Sequence, residues 1–107
     1  MQASDELHQL RIDDIYKLLP VAAITFDSNG VIRHWNKGAE SLFGWDESEI
    51  VGKHWTILVP THAHKHVEGV WSALMRGEIR HSINANLTKN GEEIVCIWHN
   101  MPIKVGE

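Results

Sequence analysis

The stretch that decides the fold is residues 27–52, which read DSNGVIRHWNKGAESLFGWDESEIVG. Its first four residues form a polar turn that ends in Gly30 and joins two apolar runs, which is a hairpin signal. The side-chain oxygen of Asn36 can accept from a backbone N–H of the next turn, so Asn36 is predicted to cap a helix. Apolar residues then recur at helical spacing until Gly44, where this helix is expected to end. The stretch therefore predicts a strand pair followed by short helices.

Together with the elements on either side of it, this stretch predicts an antiparallel α+β pattern. The sequence predicts strands at 21–27 and 31–35, a helix at 62–76 capped by Thr61, and strands at 78–88 and 93–105. The dipeptide Asn90-Gly91 is the strongest hairpin turn signal and joins the last two strands. Apolar and polar residues alternate in the third strand, which assigns them to its two faces. His81, Ile83, Ala85 and Leu87 are predicted to face the core, and Arg80, Ser82, Asn84, Asn86 and Thr88 to face solvent.

An amphipathic helix is predicted from Ser4 to Leu19, because apolar residues form a loose stripe and Pro20 ends it. Two roles are open for this helix. It can cover one face of the sheet, or it can serve dimerisation and relay to a neighbouring domain.

Composition narrows the class of protein. A chain of 107 residues allows one domain, and a net charge of −4 with a pI near 6.0 gives no basic footprint for nucleic acid. A single Cys cannot form an internal disulfide, which fits a reducing, cytoplasmic compartment. No apolar run approaches the ~20 residues that span a membrane, and the N-terminus lacks the basic and apolar regions of a signal peptide. There is no phosphate loop or nucleophile motif, so no enzymatic activity is expected.

The order of these elements resembles a PAS sensory domain over residues 18–105. The matching residues are the Asp27-x-x-Gly30 turn, Ile32 to Asn36, Ala39-Glu40-x-x-Phe43-Gly44, Glu49 to Gly52, Lys89-Asn90-Gly91 and residues 96–103. The resemblance implies short helices packed on a curved antiparallel sheet, with a sensing cavity between them. It also implies a sensory and dimerisation module of a cytoplasmic signalling protein. A homodimer through the N-terminal helix and the sheet face is expected, with a histidine kinase or diguanylate cyclase as output domain.

The chain departs from the PAS pattern in one respect. A PAS sheet has five strands, and the fifth lies between the first and the fourth, whereas this sequence shows four. The predicted organisation is therefore a flanking helix at 1–20 and a sensory core at 21–107 that is truncated at its C-terminus. Either the missing strand belongs to a longer protein, or a second chain or the N-terminal segment fills its place.

The resemblance places a ligand cavity between the helices and the sheet. Its predicted lining is Ile57, Val67, Trp71, Ile83, Ala85 and Trp98. Ala85 leaves room in this cavity, whereas the two Trp side chains can fill it. A packed interior with no ligand, in a pure interaction scaffold, is therefore the alternative to a small-molecule site.

Haem, flavin and a metal ion are the three cofactor alternatives. Some oxygen-sensing PAS domains hold haem through a His on the helix that corresponds to the one after Pro60 in this chain. His66 is therefore the candidate ligand. The resemblance to those domains aligns Val67, its neighbour, with the ligand position. A redox-type flavin stays open, but the cysteine-containing helix of the light-sensing flavin subfamily has no counterpart, and Cys96 is interpreted as a small core residue. His62 and His66 share a helix face at i, i+4, but solvated imidazoles are the favoured interpretation and no metal site is predicted.

Overall fold

The structure is a computed structural model that describes residues 21–101. The predicted N-terminal helix and the chain beyond Met101, including the predicted strand end at 102–105, lie outside the described residues. The chain is divided into two compact units, with the boundary between Trp55 and Thr56. The described elements of the first unit are β1 (Ile24–Phe26), β2 (Ile32–Trp35), α1 (Lys37–Phe43) and α2 (Glu47–Ile50). Those of the second are two 3₁₀ helices (Trp55–Leu58, which begins at the boundary residue, and Thr61–Ala63), α3 (His64–Met75), β3 (His81–Leu87) and β4 (Glu93–His99).

The first unit is built on an antiparallel pair, β1 and β2, in which Ile24 lies opposite Trp35. The pairing has an irregularity between Thr25 and Phe26. Side chains from β2 and the helices form the core of this unit. The ring centroids of Trp35 and Phe43 are 5.5 Å apart, and both side chains are fully buried.

Asn36 connects β1, β2 and α1. Its Oδ1 accepts from the backbone N–H of Ala39 and from that of Ala23, both at 2.9 Å. Its Nδ2 donates to the carbonyl oxygen of Val21 at 2.8 Å. The predicted helix cap is therefore confirmed, and the same side chain also holds the chain that leads into β1.

Gly38, in the first turn of α1, lies directly against the backbone of Val21 and Ala22. A Cβ at this position would be 2.4 Å from the carbonyl carbon of Val21 and 2.6 Å from the nitrogen of Ala22. Backbone atoms cannot swing away as a flexible side chain can, so only glycine fits here.

In the second unit, helix α3 begins later than the sequence predicts. The 3₁₀ helix Thr61–Ala63 precedes it, and the residue before His64 is Ala63, without a side-chain cap. The prediction that Thr61 caps this helix is therefore wrong. The chain instead enters α3 through a tighter turn, which leaves the Thr61 side chain without the capping role.

Strands β3 and β4 form a regular antiparallel hairpin with seven residue pairs, from His81 opposite His99 to Leu87 opposite Glu93. The predicted faces of β3 are reversed. Asn84 and Asn86 are 6% and 2% exposed, whereas Ile83 is 65% exposed. Polarity alone assigned these faces, and it failed because the amide of Asn86 finds hydrogen-bond partners inside the protein.

The α+β class with antiparallel strands and short helices is confirmed. The described part of the chain contains four strands, arranged as two two-stranded sheets. Within residues 21–101, no helix has the length and apolar character needed to span a membrane.

Candidate functional site

The candidate site lies on the face of the β3–β4 hairpin that carries Ser82, Asn84 and Asn86, which we call the polar face. Antiparallel register puts Trp98, Cys96 and Ile94 opposite these three residues, on the same face. This face therefore combines three polar side chains from one strand with two large apolar side chains and one thiol from the other.

Asn86 is the best satisfied side chain of the polar face. Its Nδ2 donates to the carbonyl oxygen of Leu58 at 2.9 Å, and its Oδ1 accepts from the indole Nε1 of Trp98 at 2.9 Å. Leu58 ends the first 3₁₀ helix and is itself buried. One amide thus connects β4, β3 and the chain that precedes α3, and it fixes the orientation of the Trp98 ring.

Asn84, two residues earlier, is only partly satisfied. Its Nδ2 donates to the hydroxyl oxygen of Ser82 at 3.2 Å. Its Oδ1 is buried, and no described residue donates a hydrogen bond to it. A buried amide oxygen without a donor costs about 1–3 kcal/mol, and a bound molecule with an O–H or N–H group would remove that cost.

Cys96 lies opposite Asn84 and is half-buried. Burial raises the pKa of its thiol above the usual value, because a thiolate is poorly solvated there. The thiol therefore stays protonated and unreactive at neutral pH. Its contribution to this face is a small, polarisable surface.

The structure separates the six residues predicted to line a cavity. Trp98 is on the polar face, whereas Ile83 and Ala85 are on the opposite face of the hairpin. The prediction that Ile83 and Ala85 share a cavity with Trp98 is wrong for this reason. Val67 and Trp71 are half-buried on α3, four residues apart and hence on one helix face, and Ile57 is half-buried in the first 3₁₀ helix. A ligand role for these remaining residues stays a prediction.

His66 does not fit a haem ligand. Its side chain is exposed on α3, while the neighbouring Val67 is half-buried. A proximal His must reach iron inside a closed pocket, and a step of one residue along a helix turns the side chain by about 100°. Val67, at the position where the alignment places the ligand, has no atom that could bind iron.

Sequence reasoning missed Asn84 and Asn86. A signal for them was present in the sequence. Ser82, Asn84 and Asn86 recur at every second position of β3, and they lie opposite Trp98, Cys96 and Ile94 of β4. Amide side chains at successive inward positions of a strand indicate partners inside the protein, since lone buried amides are costly. The apolar run of β4 extends over both of its faces, so it gave no sign of which face was inside.

Comparison with known proteins gives one family. The family model of the PAS fold matches residues 16–107. The sensor protein FixL of Bradyrhizobium diazoefficiens is 36% identical over 52 residues, which are 49% of this chain and 10% of that relative. The chain thus matches only about a tenth of the length of this curated relative.

Two solved structures illustrate the similarity of fold. A PAS domain from Colwellia psychrerythraea has a TM-score of 0.70 at 21% identity, with 88% of this chain and 76% of that chain covered. A domain of a sensory box sensor histidine kinase/response regulator from Geobacter sulfurreducens has a TM-score of 0.67 at 15% identity, with 86% and 76% covered. At these identities the likeness concerns the fold.

Proposed function

Because the chain belongs to the PAS family, we propose that it is the sensory and dimerisation module of a cytoplasmic signal-transduction protein. The module has no catalytic activity of its own. It passes a change in ligand or packing to an output domain, of which a histidine kinase is the first candidate and a diguanylate cyclase the second. The similarity to a sensor protein and to a domain of a sensor histidine kinase supports this choice.

The sensed signal in this proposal is a small molecule bound at the polar face. The observation that carries it is the buried Oδ1 of Asn84, which lacks a donor among the described residues. A neutral ligand with a hydroxyl or amide N–H would satisfy this oxygen, while its apolar part packs on Trp98 and Cys96. An anionic ligand is disfavoured, because its oxygens would meet the oxygen of Asn84 without a proton between them.

Native mass spectrometry of the chain, purified without denaturant, tests the ligand. We expect a mass excess on the wild-type chain that is lost in Asn84→Leu, where the acceptor oxygen is absent and the branched shape of the side chain is kept. Asn90→Ala, in the exposed hairpin turn, is the matched control and should keep the mass excess. An absorption spectrum of the same sample identifies a haem or flavin by its colour.

Two results would contradict the small-molecule proposal. One is wild-type protein whose mass is that of the bare chain after purification and after incubation with a lysate extract of small molecules. The other is a bound molecule that Asn84→Leu retains at wild-type occupancy. The first result would favour the scaffold alternative, in which the interior carries no ligand, and the second would place the ligand away from Asn84.

Dimerisation has its own structural support in the second face of the hairpin, which we call the apolar face. Val95 and Ile97 are 74% and 68% exposed, and they lie opposite Ala85 and the exposed Ile83. Exposed β-branched side chains that adjoin on one sheet surface are typical of an interface. The proposed occupant is the same face of a second copy, together with the N-terminal helix, because a two-fold dimer pairs identical surfaces.

Analytical ultracentrifugation tests this interface with Ile97→Lys. We expect the sedimenting mass to fall from dimer to monomer, since lysines from two copies would repel one another. Lys65→Ala on the exposed side of α3 is the control and should leave the mass unchanged. A wild-type chain that stays monomeric at high concentration, or a dimer that persists in Ile97→Lys, would contradict the interface.

A further inference from the structure

The end of the apolar face carries two imidazoles, which lie beyond the residues named for the dimer contact. His81 and His99 are register partners, both exposed. The nitrogen of Asn100 donates to the carbonyl oxygen of Arg80 at 2.7 Å. Because hydrogen-bonded and non-hydrogen-bonded pairs alternate, His81 and His99 form a non-hydrogen-bonded pair, where cross-strand side chains come closest.

The two rings present the same atom to each other. Nδ1 of His81 is 2.9 Å from Nδ1 of His99, and the rings stand edge to face, with centroids 4.9 Å apart. One Nδ1 must carry a proton and the other a free lone pair for this contact to be a hydrogen bond. If each neutral imidazole instead holds its proton on Nε2, both Nδ1 lone pairs become available without loss of a proton.

We infer that His81 and His99 form a two-imidazole binding site for a divalent transition-metal ion such as Ni²⁺ or Cu²⁺. Imidazole nitrogen is a preferred ligand of these ions. Two nitrogens at about 2.0–2.1 Å from a metal are about 2.9 Å apart when they subtend 90°, and about 3.3–3.4 Å apart at the tetrahedral angle. The observed separation of 2.9 Å therefore matches adjacent positions of a square or octahedral ion and is short for tetrahedral Zn²⁺.

The remaining coordination positions belong to water. In residues 21–101, no group of three or more His, Cys, Asp or Glu side chains is placed to hold a metal. The neighbours of the pair on the same face, Ile83 and Ile97, offer no ligand atom. The site is independent of the polar face, since residues on opposite faces of a hairpin do not share a ligand of this size.

Isothermal titration calorimetry of the untagged chain with NiCl₂ tests the site. We expect one Ni²⁺ per chain, with an affinity that falls at least about tenfold in His81→Gln and equally in His99→Gln, because each variant loses one of two ligand bonds. ZnCl₂ should bind more weakly than NiCl₂. Both residues are exposed, so circular dichroism should show the variants folded.

A second pair of His residues, His62 and His66, provides the control. His62 and His66 are four residues apart, and His62 Nε2 already lies 2.8 Å from Glu93 Oε1. The double variant His62→Gln/His66→Gln should keep wild-type Ni²⁺ affinity. Paramagnetic broadening of amide NMR signals by Ni²⁺ should centre on residues 80–82 and 98–100.

Several results would overturn the inference. They are no heat of binding up to millimolar Ni²⁺, an affinity that His81→Gln and His99→Gln leave unchanged, broadening centred on residues 62–66, and tighter binding of Zn²⁺ than of Ni²⁺. None of them bears on the small-molecule proposal, whose test is the mass excess that depends on Asn84.

Discussion

Replacing Asn36 by Ala should destabilise the protein more than any other single amide-to-alanine change in its first unit. The variant loses both hydrogen bonds that Oδ1 accepts, from the N–H of Ala39 and that of Ala23. It also loses the bond that Nδ2 donates to the carbonyl of Val21. Asn36 is 1% exposed, so water does not simply take the place of the missing side chain.

The three bonds do not contribute equally. Loss of a helix N-cap costs about 0.5–2 kcal/mol, and a second buried N–H without an acceptor costs about 1–3 kcal/mol. The bond to the carbonyl of Val21 is not added as a separate contribution, because neighbouring bonds of one side chain are not additive. The expected loss is about 2–4 kcal/mol, a large share of the roughly 5–15 kcal/mol that stabilises an ordinary domain.

Urea unfolding followed by Trp fluorescence measures this loss. With an m-value of about 1–3 kcal/mol/M, the midpoint should fall by about 0.7–4 M while m stays constant. Asn36→Asp keeps the acceptor oxygen and should lose less than Asn36→Ala. Asn29→Ala, in the exposed turn, should stay within about 0.5 kcal/mol of wild type. A loss below 1 kcal/mol in Asn36→Ala, or equal losses in the Ala and Asp variants, would refute the reasoning.

Three further predictions concern other residues. Gly38→Ala should lower the urea midpoint because its Cβ would strike the backbone of Val21, whereas Gly69→Ala, in open space within α3, should raise it through helix propensity. Asp27→Asn should make stability less sensitive to acid. Hydrogen bonds from the Val31 N–H, then from Arg33, hold the pKa of Asp27 below its ordinary 3.8. The wild-type carboxylate therefore stabilises the fold at neutral pH and loses this effect as pH falls through that lowered pKa. Equal acid midpoints of wild type and Asp27→Asn would contradict this. Cys96 should react with Ellman's reagent more slowly in folded than in urea-unfolded protein, because burial raises the pKa of its thiol; equal rates would contradict this.

Local features of the fold were predictable from the sequence. The cap at Asn36 and the end of α1 at Gly44, whose φ is 85°, depend on residues within one or two helical turns. The turn at Asn90-Gly91 is likewise a local signal, and Gly91 has a φ of 83° there. Such signals are read from neighbours in the chain, and the structure places them where the pattern predicts.

The candidate site was predictable only in part. Trp98 was named as a lining residue, but Asn84 and Asn86 were assigned to solvent. The partner of Asn86 is the carbonyl of Leu58, which is 28 residues earlier in the chain. A polarity pattern within one strand carries no information about such a distant acceptor, and without it the apolar Ile83 seemed the natural inward residue. The His81–His99 contact was missed for the same reason, since it depends on register across the hairpin.

The contacts of Val21 have a mechanical consequence. Its carbonyl oxygen is held by the Asn36 amide, and its backbone presses on Gly38. A displacement of Val21 therefore acts directly on the amide that caps α1. Displacement of that amide would loosen the start of the helix and the approach to β1 together, so tension at this point and helix fraying are coupled through one side chain.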